Sequence, residues 1–292
     1  MPILVSFCVR SDKGRFALGM LQGRTLALQP LPALLQFPQP PELAGLAADS
    51  RFVYVAVRSP SGLVVLDRQN LYLLHQHDLP EADDLHSLCV REEQLYVVST
   101  GTDEVLCLQM RGPHIVSQSV VWRPGPSSSH TDTHHLNGLC FSGEDLCVCG
   151  FGQRTRRDDW DSACKGFLYN ISREEMVSTG LDHPHSPLAL ENGVACCESG
   201  SGSVLVPGRG AIRDLPGYPR GLCRVGEHLF VGTSAFRTVS RSSGKRRLGL
   251  GSGIPAARST VTRINLRTGA SDLETDLSWH GGEIYDLLPL DP

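Results

Sequence analysis

Six short segments of the chain share one form: a variable residue, a small or polar residue, then leucine, opening into a hydrophobic strand. They are Ala44-Gly45-Leu46, His86-Ser87-Leu88, Asn137-Gly138-Leu139, Ser186-Pro187-Leu188, Arg220-Gly221-Leu222 and Tyr285-Asp286-Leu287. After the first five comes a second strand: FVYVAV, LYVVST, LCVCGF, VACCES and LFVGTS. A like unit repeated at this spacing predicts a radial, all-β architecture, a β-propeller, because each unit needs its neighbours to bury its apolar faces. It also predicts where function sits. The first strand of a blade lines the central channel, and the polar residues at or near these starts are His86, His135, Asn137, His185, Arg220 and Glu283.

Turn chemistry divides the units further. Residues 42–80 read as four short strands separated by Asp-Ser, Pro-Ser-Gly and Arg-Gln-Asn turns, the make-up of one blade. Similar units cover about 85–124, 135–183, 185–217 and 220–278. The third carries a polar insertion at about 152–166, and the fifth a long one at about 236–259. The sixth unit is split. The C-terminal GGEIYDLLPL supplies an opening strand, and the N-terminal segments ILVSFCV, RFALGML and RTLALQPL supply three more. Joining them closes the ring and removes its exposed edges. The expectation is one domain over 1–292 with six four-stranded blades; the irregular third unit leaves five or seven as alternatives.

A chain of 292 residues, 40% hydrophobic and 20% charged, has enough apolar material for one large closed β-domain. A net charge of -4 gives no overall attraction to nucleic acid or to an anionic membrane. Lys245-Arg246-Arg247 is too short a basic run, with no interleaved aromatics, to change that. No apolar run reaches the roughly 18–20 residues of a spanning helix, and the N-terminus lacks the pattern of a secretory signal, so the expected setting is cytoplasmic. Ten cysteines are present without a CxxC pair. Most fall within strands, where a cysteine acts as a small buried hydrophobe, so free thiols are expected over disulfides or a zinc site.

The densest run of chemistry-bearing residues is SSSHTDTHHLN, Ser127 to Asn137, directly before the third inner strand. Imidazole is the commonest side-chain ligand of transition metals. His135 and Asn137, two apart, share a face of an extended strand, with His134 turned away as a support for His135. His86, His185 and Glu283 add two imidazoles and a carboxylate from other blades. Three histidines and one carboxylate suit a divalent transition metal such as iron, zinc or manganese; calcium prefers an oxygen-rich set. Arg220 offers a clamp for a carboxylate or phosphate, or alternatively pairs with Glu283, and Tyr285 is either a channel-lining acid or a packed ring. Signatures of serine hydrolases, nucleotide-binding loops, zincins and dinucleotide folds are absent from the sequence.

The motifs HTDTHHLNGL, HPHSPL, LPGYPRGL, VGTSAFR and GGEIYDL resemble those of an uncharacterised bacterial family of propeller-like proteins, known only as a domain of unknown function. The resemblance runs over about 42–290 and implies the fold more than a reaction. The family pattern tends to carry arginine after PHSP, where this chain has Leu188. A looser resemblance extends to the lactonase and lyase propellers of the gluconolactonase group. It implies one divalent metal at the channel mouth, held by one residue per inner strand and acting as a Lewis acid or on a bound water.

The expected function is therefore that of a metal-dependent enzyme acting on a small polar or carboxylated substrate, by hydrolase or lyase chemistry, with a non-haem iron oxidation as a variant. The metal ligands would be His86, His135, His185 and Glu283. Arg220 would orient an anionic group and Asn137 hydrogen-bond the substrate, while Glu283 or Tyr285 would serve in proton transfer. The alternative is a non-catalytic module that binds a peptide or protein partner, with Trp160 and Trp279 as its tryptophan candidates; Trp122 ends a strand.

Overall fold

The computed structural model describes residues 1–8, 17–29, 42–125, 131–154, 165–235, 258–280 and 283–290. The two long insertions expected from the sequence lie largely outside these residues, as does Trp160. The described chain forms six four-stranded antiparallel sheets, as the repeat predicts. The split sheet contains β1 (Ile3–Cys8), β2 (Leu18–Gln22) and β3 (Thr25–Gln29). Blade 1 follows as β4 (Leu43–Ala48), β5 (Phe52–Val57), β6 (Gly62–Asp67) and β7 (Leu73–Asp78). Blade 2 is β8 (Leu85–Arg91), β9 (Gln94–Ser99), β10 (Glu104–Arg111) and β11 (His114–Trp122). Blade 3 is β12 (Leu136–Ser142), β13 (Asp145–Gly150), β14 (Gly166–Asn170) and β15 (Glu175–Leu181). Blade 4 is β16 (Pro184–Leu190), β17 (Gly193–Glu198), β18 (Ser203–Val206) and β19 (Gly210–Ile212). Blade 5 is β20 (Tyr218–Val225), β21 (His228–Ser234), β22 (Thr260–Asn265) and β23 (Ser271–Asp276). The last strand, β24 (Glu283–Pro289), pairs with β1 and becomes the inner strand of blade 6.

The repeated tripeptide is a β-bulge. In every blade the ladder between the first and second strands slips at this point: between Leu43 and Leu46, Leu85 and Leu88, Leu136 and Gly138, His185 and Leu188, Pro219 and Leu222, and at the Ser6/Phe7 step opposite Ile284 and Asp286. The extra residue breaks strict alternation and re-aims side chains, which is why bulges recur beside functional sites. The small or polar partner residue then contacts the next bulge around the ring. A Cβ on Gly45 would lie 2.6 Å from Ser87 Cα, and one on Gly138 2.2 Å from Pro187 Cδ. Ser87 Oγ accepts from the Leu139 amide at 3.1 Å, and Ser186 Oγ from the Gly221 amide at 2.9 Å. Gly221 sits against Asp286, and Asp286 Oδ2 accepts from the Leu46 amide at 2.8 Å. Six blades are thus linked in a closed belt.

Outside this belt the core is divided into layers between blades. One layer joins β1, β4 and β5 to blade 5 through Phe7, Leu43, Val55 and Val261; another joins blades 1 and 2 through Tyr54, Leu85 and Leu106. The nine cysteines among the described residues are free, and eight of them are buried, as their strand positions predict. Burial pushes the Cys196 thiol up to about 12, which leaves it an unreactive hydrophobe. No helix among the described residues is long and apolar enough to cross a membrane.

Candidate active site

The bulges turn His86, Asn137, Arg220 and Tyr285 toward one end of the channel, where they meet residues from the ends of the second strands. Arg58, the residue after β5, is the first of these. Its Nε donates to Asp84 Oδ1 at 2.6 Å, and its Nη1 lies 3.3 Å from Glu42 Oε2. Burial opposes ionisation of Asp84, yet His86 and Arg58 beside it hold its carboxyl well below the usual carboxylate range.

Two histidine tautomers follow from hydrogen bonding alone. Asn137 Nδ2 donates to the His135 carbonyl at 2.8 Å, so its Oδ1 is the atom facing His86 Nδ1 at 2.9 Å. An amide oxygen only accepts, so His86 Nδ1 carries the proton. Nε2 lies 3.3 Å from Asp84 Oδ2, an ion pair when the ring takes a second proton. Burial pushes this imidazole down to about 4, against the opposing pull of Asp84. His185 Nδ1 lies 2.9 Å from the His183 carbonyl and 2.8 Å from Ser199 Oγ, whose own proton goes to the Pro219 carbonyl at 2.6 Å. Nδ1 is again the donor. His185 Nε2 is left as a buried lone pair with no hydrogen-bond partner. Burial and then the Arg220 charge hold this imidazole well below its ordinary pKa, so it is neutral.

Two donors stand near these bases. Tyr285 packs edge-on to His86, with ring centroids 5.5 Å apart, and burial raises its hydroxyl well above the ordinary phenol range. Its hydroxyl is therefore protonated, and it has no hydrogen-bond partner. The Arg220 guanidinium lies 5.2 Å from the Tyr285 ring and 5.0 Å from the Tyr218 ring. Its Nη1 is 3.8 Å from Glu283 Oε2, a loose ion pair, and its Nε is buried without a hydrogen bond. The pairing with Glu283 weighed from the sequence is thus present, although it does not engage the whole guanidinium.

His135 takes a different position from that expected. Its backbone is left-handed, with φ at 50°, so it does not share a simple strand face with Asn137. Its Nδ1 is 3.0 Å from Asp132 Oδ2. Asp132, not His134, is its support; the His134 amide instead donates to Asp103, 3.1 Å from either carboxylate oxygen. The His135 ring lies 5.2 Å from His86, but Phe151 stands on its other side. Phe151 is 4.6 Å from His135 and 5.3 Å from His185, and it stacks on His183 at 4.4 Å. This ring therefore packs against two of the expected metal ligands. Among the described residues, the one group of three whose donor atoms lie within 4.8 Å of one another is His75, His77 and His114, away from the channel. His86, His135, His185 and Glu283 share one end of the channel, but their donor atoms do not converge to that spacing.

The residues that the sequence reading missed share a position. Arg58, Thr100, Phe151 and Ser199 each follow the apolar run of a second strand, and the backbone amides of all four bond back to the segment before the first strand. That register is the signal that marks them.

No curated protein matches the chain. Solved structures match its fold. One from a nidogen/laminin complex has a TM-score of 0.67 at 12% identity, covering 98% of this chain and 97% of that one. A calcium-binding protein, regucalcin, from Agrobacterium tumefaciens has a TM-score of 0.55 at 11% identity, covering 80% and 73%. The PQQ-bound aldose sugar dehydrogenase from Streptomyces coelicolor has a TM-score of 0.57 at 11% identity, covering 85% of each chain. At such identities these likenesses establish the propeller and nothing of the site. The family resemblance drawn from the motifs is confirmed: over residues 59–291 the chain matches the model of a domain of unknown function, DUF4915, and it belongs to that family.

Proposed function

We propose that this end of the channel is the active site of an enzyme for a small hydroxylated carboxylate. One observation carries the reading: His185 Nε2, Tyr285 Oη and Arg220 Nε are fully buried polar atoms without hydrogen-bond partners, on three different blades around one axis. A buried polar group left unpaired costs about 1–3 kcal/mol, so three together favour a ligand that pairs them. Their chemistry describes that ligand. Arg220 takes an anionic group, and Tyr285 donates to an oxygen. The bare His185 Nε2 accepts a proton from a hydroxyl, a water or an acidic carbon. A neutral base opposite a protonated phenol is the pairing that hydrolase or lyase chemistry needs. Asn137 serves here by fixing His86, and Glu283 by orienting Arg220.

A divalent transition metal held by His86, His135, His185 and Glu283 is the finer form of this reading. In its favour, each imidazole has Nδ1 engaged by another group, the form of a metal-ligating histidine. Against it, no three of the four donors fall within 4.8 Å of one another among the described residues. We therefore route no step through a metal. Among the described residues, a peptide-binding role is favoured by the exposed aromatics Trp279, beside the buried His280, and Tyr72.

The test is a thermal-shift and calorimetric screen of lactate, tartrate and gluconate against EDTA-treated protein. At least one is expected to bind saturably, with affinity falling at least about tenfold in Arg220→Gln and His185→Gln, the loss of about 1.4 kcal/mol or more that a charged hydrogen bond supplies. Binding unchanged in both variants, or none without added metal, overturns the reading. In the second case, uptake of a metal abolished by His185→Gln establishes the metal form.

A further inference from the structure

We propose that His75, His77 and His114 form a second, independent site, which takes one divalent transition cation of the zinc class and clamps the outer rims of blades 1 and 2. The site does not depend on the channel reading. His75 and His77 are two apart on β7, opposite Val65 and Leu63, so strand alternation puts both on one face. His114 opens β11, the outermost strand of the next blade, after the turn that contains Pro113. The His75 ring lies 4.3 Å from His77 and 4.6 Å from His114, and one nitrogen from each of the three falls within 4.8 Å of the others.

The second ring nitrogen of His77 is already engaged. Nε2 is 2.9 Å from the Pro113 carbonyl across the blade seam. A carbonyl only accepts, so Nε2 carries the proton and Nδ1 is the lone pair left for an ion. A ring nitrogen bonded to a backbone carbonyl is the usual support of a metal-ligating imidazole. The donor set selects the cation. Three imidazoles without a paired carboxylate among the described residues do not suit calcium or magnesium, which need oxygen ligands. They suit zinc, nickel or copper, at metal–nitrogen distances of about 2.0–2.1 Å. That closure needs a side-chain shift of about an ångström from the present spacing. His114 is exposed, which leaves room for water in the fourth position.

Zinc added to EDTA-stripped protein is the probe, with binding followed by calorimetry and by melting temperature. One equivalent is expected to bind and raise the melting temperature. His114→Ala, at an exposed position, and His77→Ala are each expected to weaken zinc binding at least about tenfold, the effect of losing part of a built metal site. His185→Gln, in the channel, is expected to leave this binding intact. No saturable zinc binding, binding unaffected by both rim variants, or binding abolished by His185→Gln instead would each overturn the proposal.

Discussion

Asp286 holds two backbone amides and is half-buried at the blade seam, and these conditions pull its carboxyl in opposite directions. Its Oδ2 accepts from Leu46 at 2.8 Å across the closing seam, and its Oδ1 accepts from Leu287 at 2.9 Å. Both bonds favour the ionised form, but burial outweighs them and raises the carboxyl from 3.8 to about 7. Between those values the folded chain holds a proton that the unfolded chain has released. Its stabilisation is therefore complete below about pH 4 and is lost as pH rises to about 7. His86 runs the other way. Its pKa falls from 6.5 to about 4 on folding, so its contribution is present above pH 6.5 and is lost as pH falls toward 4. Asp286→Asn removes the first dependence and leaves the second. The amide has one oxygen for two N–H donors, so the variant loses about 1–3 kcal/mol for the unpaired one. Its urea midpoint is also expected to fall more steeply than that of the native chain between about pH 7 and about pH 4.5. Parallel curves would show that Asp286 is ionised throughout.

The bulged inner strand is the element that converts repetition into a site. Its conserved spacing made the six blades legible, because leucine and a following turn must recur wherever a blade packs on its neighbour. The variable position before the leucine made His86, Asn137, Arg220 and Tyr285 legible too. The bulge itself was not, since a pattern of apolar residues does not show that the hydrogen-bond ladder has slipped by one. Nor was Phe151, which reads as the apolar end of a strand yet packs against both His135 and His185. Whether histidines brought to one end of a channel converge on an ion depends on side chains from other strands as well as on sequence position. The belt of bulge contacts sets a strict limit on size. Gly45→Ala would place a methyl 2.6 Å from Ser87 Cα and 2.9 Å from the His86 carbonyl, both backbone atoms that cannot turn aside. It is expected to lose about 1–3 kcal/mol by chemical denaturation, the cost of overpacking, and to disturb His86. Gly125→Ala, with nothing within 4 Å of the added methyl, is the control and is expected to change stability by less than about 0.5 kcal/mol. Equal effects at the two positions would mean that the blades are not held in contact at the bulge.

At the scale of the whole molecule, the site and the ring closure are one structure. Glu283 and Tyr285 come from the last strand, whereas Glu42 and Arg58 come from the first complete blade, so the site is whole only when the two ends of the chain have met. The pairing that joins them, β1 on β24, sets Phe7 opposite Ile284 and Cys8 opposite Glu283. Phe7 is buried in the layer between β1, blade 1 and blade 5, with its ring 4.4 Å from His280. Closing a ring between residues so far apart in sequence carries a loop-entropy cost that the β1–β24 ladder, this layer and the belt contact at Leu46 offset. Phe7→Ala removes the largest side chain of β1 and is expected to cost about 3–5 kcal/mol. Leu106→Ala, in the layer between blades 1 and 2, is expected to cost about 2–5 kcal/mol. The two variants separate stability from closure. Loosening the register around Ile284 displaces Tyr285 and Glu283, so Phe7→Ala is expected to lose carboxylate binding in the channel under conditions where it is still folded. Leu106→Ala, on the third strand of its blade, is expected to retain that binding. Binding retained equally in both, measured by calorimetry well below their melting temperatures, would mean that the channel end is assembled before the ring closes rather than by it.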